Sequence, residues 1–181
     1  MKNMATIAAG ILALTPTANV SANACGPSNT HQPLKPVADL ERLVIAEEIR
    51  NLKARYFRCV DTRQKDCVDT IFSSGAVFEI GADPKTGGEP SRYVIEKGVD
   101  MKGQLDALQT IHHGFIPEIT ILSSDAACAI WPMEGLQWDT STDDKKPKQI
   151  AYGYYYDEYR KIGNLWLIQN STLIRLRVDI R

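Results

Sequence analysis

The chain has 181 residues, 44% hydrophobic and 24% charged, with 21 basic against 22 acidic side chains. This is an ordinary globular composition, and the length fills one core while leaving no room for a second catalytic domain. A net charge of −1 and a pI near 6.3 argue against a nucleic-acid-binding surface, no apolar run approaches the roughly 18 residues of a membrane span, and four cysteines are too few for a disulfide-built scaffold.

Residues 1–24 read as a secretory signal peptide. Lys2 gives a short positive start, Ala5 to Leu14 are small and apolar, Pro16 breaks the run, and Ala22-Asn23-Ala24 forms the A-x-A pattern that a signal peptidase cuts. A disordered tail is the alternative. Cleavage would leave Cys25 first, which raises a lipid anchor as a second option behind simple export, since Ala22 and Asn23 poorly match what precedes a lipidated cysteine. Residues 25–38, with Gly26, Pro27, Pro33 and Pro36, read as a flexible leader to a single domain over 39–181.

Asp39 is placed to cap a long amphipathic helix whose apolar positions are Leu40, Leu43, Val44, Ala46, Ile49, Leu52, Tyr56 and Val60. Glu47, Glu48, Arg50, Lys53 and Arg55 form its expected solvated face. A turn over 61–64 leads to a short helix over Lys65 to Phe72, with Val68, Ile71 and Phe72 inward. Ala76 to Ile80 alternates like a strand, 83–90 is a loop, and Val99 to Gln109 is expected to form a third helix.

From residue 110 the period becomes two. Four long strands are predicted at Phe115–Leu122, Ala126–Trp138, Ile150–Lys161 and Leu165–Val178, separated by Ser123-Ser124-Asp125, the polar loop 140–148, and Gly163-Asn164. Helices followed by an antiparallel meander make an α+β domain in which a curved sheet closes over the helices, a cone whose mouth suits a small apolar ligand.

The segment Leu52-Lys53-Ala54-Arg55-Tyr56-Phe57-Arg58-Cys59-Val60-Asp61 resembles the first-helix signature of the SnoaL-like branch of the nuclear-transport-factor-2-like superfamily. Ile111-His112-His113, seven residues before Ile119, resembles that family's histidine position. Residues 153–160 and 173–179 resemble its last two strands, so the likeness runs from about Asp39 to Asp179. It implies a cone-shaped α+β barrel of about three helices and a strongly bent, mostly antiparallel sheet. Members include scytalone dehydratase, a bile-acid dehydratase, a lindane dehydrochlorinase and polyketide cyclases. They usually need no cofactor and move protons beside a carbonyl or expel a leaving group; others only bind small molecules or serve as partner subunits. A cofactor-free lyase or isomerase acting on a small apolar cyclic molecule is therefore expected, with a non-catalytic binding module as the alternative. Neither metal nor nucleic acid is expected, and these folds often dimerise or trimerise.

The site residues follow from the same likeness. Asp61 ends the long helix, where its charge opposes the macrodipole; it is either a turn-forming residue or the partner of a histidine. His112, expected at a strand entrance, would form with it a His–Asp dyad able to take up a proton. His113 competes, because adjacent strand residues face opposite sides. Tyr56 would polarise a substrate oxygen, or simply continue the apolar stripe. Arg175 and Arg177 share one face by simple alternation and either both point outward or both line one surface; Arg175 is the better match to a functional arginine of the bile-acid dehydratase. Tyr154 and Trp131 are the aromatic side chains expected to touch substrate beside Arg175. Cys59 and Cys67 flank a turn and are either a disulfide or free, and Cys128 is expected to be plain core.

Overall fold

Apolar side chains at a 3/4 spacing wind residues Asp39–Asp61 into the long helix α1. In the computed structural model, which describes residues 25–26, 37–82, 89–95, 108–143 and 145–181, its inward stripe is Ile45, Ile49, Leu52, Lys53, Tyr56, Phe57 and Val60. The first two turns carry Leu40, Leu43 and Val44 out into solvent, so the apolar stripe begins later than its periodicity suggests. Ala38, not Asp39, is the N-cap and makes no side-chain cap; Asp39 and Glu41 instead place negative charge in the first turn, where the helix dipole favours it.

A turn through Arg63, which has a positive φ of 56°, leads to α2 (Lys65–Val68). This helix is shorter than expected because Phe72 already belongs to a strand. Among the described residues seven strands follow: β1 (Phe72–Ile80), β2 (Ser91–Ile95), β3 (Leu108–Gly114), β4 (Glu118–Ser123), β5 (Ala126–Asp139), β6 (Gln149–Ile162) and β7 (Leu165–Ile180). Of the expected third helix, residues 99–107 lie outside the described residues, while Leu108 and Gln109 open β3.

The strand order is β2-β1-β7-β6-β5-β3, with β4 also pairing with β5. All pairs are antiparallel except β1 with β7, which makes the sheet mixed. Two-residue turns at Ser124-Asp125 and Gly163-Asn164 close the β4–β5 and β6–β7 hairpins, the latter with Gly163 at φ 62°. The curved sheet folds over α1 to give the cone-shaped α+β architecture. Inside it Ile49, Leu52, Tyr56, Ile71, Phe72, Ala129, Trp131, Tyr155 and Ile168 belong to one continuous core.

Residues 151, 153, 155, 157 and 159 of β6 face α1, and the even-numbered residues between them face the other side. On β7 a register shift opposite Tyr152 and Gly153 breaks that alternation. Gly153 pairs with Arg175 while Tyr152 pairs with Arg177. Arg175 therefore lies on the inner face and Arg177 on the outer, where it binds Asp179 at 2.9 Å. The two arginines do not share a face, contrary to simple alternation, because the bulge inserts a residue.

All four cysteines are paired. Cys59–Cys67 ties the end of α1 to α2 with Cα atoms 5.7 Å apart. Cys25–Cys128, at 5.5 Å, brings Cys25 onto the outer face of β5. Cys128 is thus not plain core, since its thiol is used by a residue 103 positions earlier in the chain.

Candidate active site

The site is assembled where the C-terminal turn of α1 meets the inner face of β3. The helix delivers Tyr56, Phe57 and Asp61, and the strand delivers Thr110 and His112. Asp61 accepts three hydrogen bonds: from the main-chain N–H of His112 at 2.9 Å, from the Thr110 hydroxyl at 2.9 Å, and from Nδ1 of His112 at 2.6 Å. These donors offset the cost of an acid at a helix C-terminus. An ionised carboxylate carries only acceptors, so Nδ1 donates in this contact, and in the neutral imidazole the lone pair falls on Nε2.

His112 is not at a strand entrance but inside β3, paired with Gly135. Its side chain is 12% exposed; that of His113, on the opposite face, is 53% exposed and binds Glu134 at 2.9 Å. The Phe57 ring stacks on the imidazole, with centroids 5.7 Å apart and planes within 10°. Gly114 permits this, since a Cβ there would collide with the Phe57 ring. A Cβ at Gly135 would stand 3.7 Å from Cδ2 and 4.0 Å from Nε2 of His112. The glycine therefore places no side chain against this edge of the ring.

Tyr56 lies beneath the dyad, its ring centroid 6.5 Å from that of His112. It packs edge-on against Tyr155, with ring centroids 6.1 Å apart. Burial pushes both phenols well above their ordinary range, so both remain donors at any physiological pH.

Under these rings lies a buried polar network that the sequence reading missed. Lys53 is fully buried rather than part of the solvated stripe. Its Nζ sits 2.7 Å from Oδ2 of Asp157, which also accepts from the Tyr159 hydroxyl at 2.7 Å, while Ser171 donates to Oδ1 at 2.7 Å. The ammonium stands 3.8 Å over the centroid of Tyr155 and 4.7 Å over that of Tyr56, where the ring faces favour a cation. Burial lowers the Lys53 pKa, opposed by the attraction of Asp157. One signal was available: Lys53 is four residues after Ile49 and three before Tyr56, which places it on the buried stripe.

Of the six expected site residues, the fold brings Asp61, His112 and Tyr56 together. Arg175 lies on the same inner face, in the row Met133–Gly153–Arg175, and its Nη2 donates to the Gly81 carbonyl at 3.0 Å. Trp131 is buried deeper, donating from Nε1 to the Tyr159 hydroxyl at 3.0 Å. Tyr154 is on the outer face of β6, away from the dyad, because the strand alternates about the inward Tyr155. Among the described residues no three His, Cys, Asp or Glu side chains cluster as a metal ion would require, and no helix is long and apolar enough to cross a membrane.

The family model for the SnoaL-like domain matches residues 41–172, a span that holds the whole dyad and most of the sheet. The chain belongs to the SnoaL-like family. Its fold is similar to that of a hexachlorocyclohexane dehydrochlorinase, LinA type 2, at 20% identity and a TM-score of 0.64, covering 80% of this chain and 93% of that one. A proposed scytalone dehydratase of Novosphingobium aromaticivorans matches at 17% identity, TM-score 0.63, over 80% and 92% of the two chains. A proposed aromatic ring hydroxylase of the same organism matches at 19%, TM-score 0.59, over 81% and 96%. At these identities the likenesses show a shared fold.

Proposed function

We propose that this SnoaL-like protein is a cofactor-independent lyase or isomerase that removes an acidic C–H proton from a small, apolar, cyclic substrate. The observation that carries the reading is the clasp on Asp61: three donors fix the carboxylate, the carboxylate fixes the imidazole, and Gly135 places no side chain against Nε2 of His112. In the proposed reaction Nε2 takes a proton from a carbon next to a carbonyl, and the C–H electron pair moves into an enolate. Asp61 stabilises the imidazolium, and Tyr56 donates a hydrogen bond to the enolate oxygen. The electron pair then returns to expel a leaving group from the neighbouring carbon, with the imidazolium returning its proton to a departing hydroxyl. Proton return to another carbon gives an isomerase instead. Arg175 is assigned to orient the polar end of the substrate.

The dehydrochlorinase and the proposed dehydratase among the fold neighbours are named for eliminations, which supports the elimination branch by analogy of fold. The test is a panel of cyclic β-hydroxyketones and β-chloroketones assayed with wild type, His112→Gln and Tyr56→Phe. Turnover by wild type that falls at least a hundredfold in His112→Gln is expected. Tight binding of panel members without turnover would make the protein a binding module.

We also infer export after removal of residues 1–24. The A-x-A pattern at Ala22–Ala24 and two disulfides in one small domain support it, since disulfides persist in oxidising compartments. Self-association is supported by the exposed Phe115 and Ile116, which border a groove of about 670 Å³ shared with Arg50 and Pro132.

A further inference from the structure

Cys25 and Glu158 meet on the outer face of the sheet, remote from the dyad. Cys128 pairs with Glu158 across β5 and β6, and Glu158 with Asn170 across β6 and β7, so the three form one outward row. Asn170 donates from Nδ2 to Oε2 of Glu158 at 2.6 Å, which holds the carboxylate in place. The main-chain nitrogen of Cys25 lies 3.4 Å from the other oxygen, Oε1, and Cys25 itself is buried, 4% exposed, by its disulfide to Cys128. For an amide N–H that distance is long and the single donor is poorly matched to a full negative charge. Directly before this nitrogen stands Ala22-Asn23-Ala24.

We propose that hydrolysis of the Ala24–Cys25 peptide bond creates the mature N-terminus, and that the freed α-ammonium of Cys25 is seated on Glu158 as a built anchoring site. Water supplies the balance: its hydroxyl goes to the Ala24 carbonyl carbon, the C–N bond breaks, and the Cys25 nitrogen takes the remaining proton and a second one from solvent. An α-amine has an ordinary pKa of about 7.7–8.0, so it is largely an ammonium at neutral pH. It offers three donors and a full positive charge where the amide offers one donor, and such charge-assisted bonds are shorter and stronger. The Cys25 sulfur is engaged with Cys128, so it cannot also carry a thioether-linked lipid; the site selects plain export over a lipid anchor.

This inference rests on the export reading, and the experiment separates the two. The full chain is expressed in an exporting bacterial host, and the recovered protein is analysed by N-terminal sequencing and non-reducing intact mass. A first residue of Cys25 and the mass of a chain with both disulfides formed are expected. Retention of the uncleaved chain inside the cell would contradict export itself. An exported chain that starts elsewhere, or one carrying a lipid mass with a free Cys128 thiol, would overturn the anchor while leaving export standing. The pairing is then read from Glu158→Gln in two backgrounds, the chain beginning at Cys25 and the same chain with one glycine added before it. The variant is expected to lower Tm by about 2–4 °C in the first background and by far less in the second. Equal losses in both would overturn the pairing.

Discussion

Gly135 stands opposite His112 in the β3–β5 ladder, and a side chain there would come against the imidazole, its Cβ 4.0 Å from Nε2. The nearest neighbour to a Cβ at that position is the flexible end of Met133, at 3.0 Å, so a small side chain can be accommodated by a shift of Met133. Gly135→Val is expected to fold, with Tm within a few degrees of wild type, yet to lose most activity by covering the base. Full activity in the valine variant would show that substrate does not approach from this edge.

Asp61→Asn leaves the shape of the clasp but removes the charge and faces Nδ1–H with a side chain that no longer enforces one tautomer. A drop in kcat of about 10²–10⁴ is expected, the usual range for general acid–base catalysis. Thr110→Val removes one of three donors to the same carboxylate, and about a tenfold loss is expected for a hydrogen bond to a charged group. Steady-state kinetics of the two variants side by side would check the order.

Lys53 and Asp157 form a buried pair that is costly to break from one side. Lys53→Met leaves the carboxylate with the Tyr159 and Ser171 hydroxyls but no countercharge. A loss of about 3–5 kcal/mol is expected for removing one partner of such a pair. Adding Asp157→Asn should recover part of it, because the amide is uncharged, its oxygen can accept from the Tyr159 hydroxyl and its nitrogen can donate to the Ser171 hydroxyl. Denaturant unfolding of the single and double variants measures this directly; a double variant worse than the sum of its parts would contradict it.

Asp139 sets a pH dependence away from the site. Hydrogen bonds from the Ser141 hydroxyl and main chain, and from Lys148, hold its carboxyl down to about 2 from an ordinary 3.8. A folded pKa below the unfolded one adds stability that is fully present above pH 3.8 and lost as pH falls through 2. Wild type is therefore expected to exceed Asp139→Asn in Tm at pH 5, with the gap closing between pH 4 and pH 2. A gap that stays constant down to pH 2 would contradict this assignment.

Periodicity alone reached the long helix, the four C-terminal strands and both two-residue turns, because each depends on local spacing. It misplaced features that depend on distant partners. The first two residues of β3 were read as the end of a helix, since Leu108 and Gln109 carry no strand signal until they lie against Trp138 and Asp139 of β5. Lys53 looked solvated because a charged residue on a helix ordinarily is; only Asp157, 104 residues away, makes its burial tolerable. Arg175 and Arg177 were separated by a bulge that alternation cannot foresee. Tyr154 looked equivalent to Tyr155 until the register fixed which of them faces inward. The Cys25–Cys128 bond was invisible because Cys25 belongs to a proline-rich leader with no local signal. By contrast, the resemblance to the SnoaL-like branch pointed to Asp61 and His112, and the fold brings them into contact at 2.6 Å, a feature no spacing rule supplies.

The central claim is that His112 abstracts a carbon-bound proton, and hydrogen exchange into a bound ketone tests it before any physiological substrate is known. Cyclic ketones found to bind are incubated with the protein in deuterium oxide, and the carbons beside the carbonyl are followed by NMR. Wild type is predicted to introduce deuterium at those carbons, with His112→Gln and Asp61→Asn at least a hundredfold slower although they still bind the ketone. Equal exchange in wild type and His112→Gln, or tight binding with no exchange in any of the three, would contradict the account.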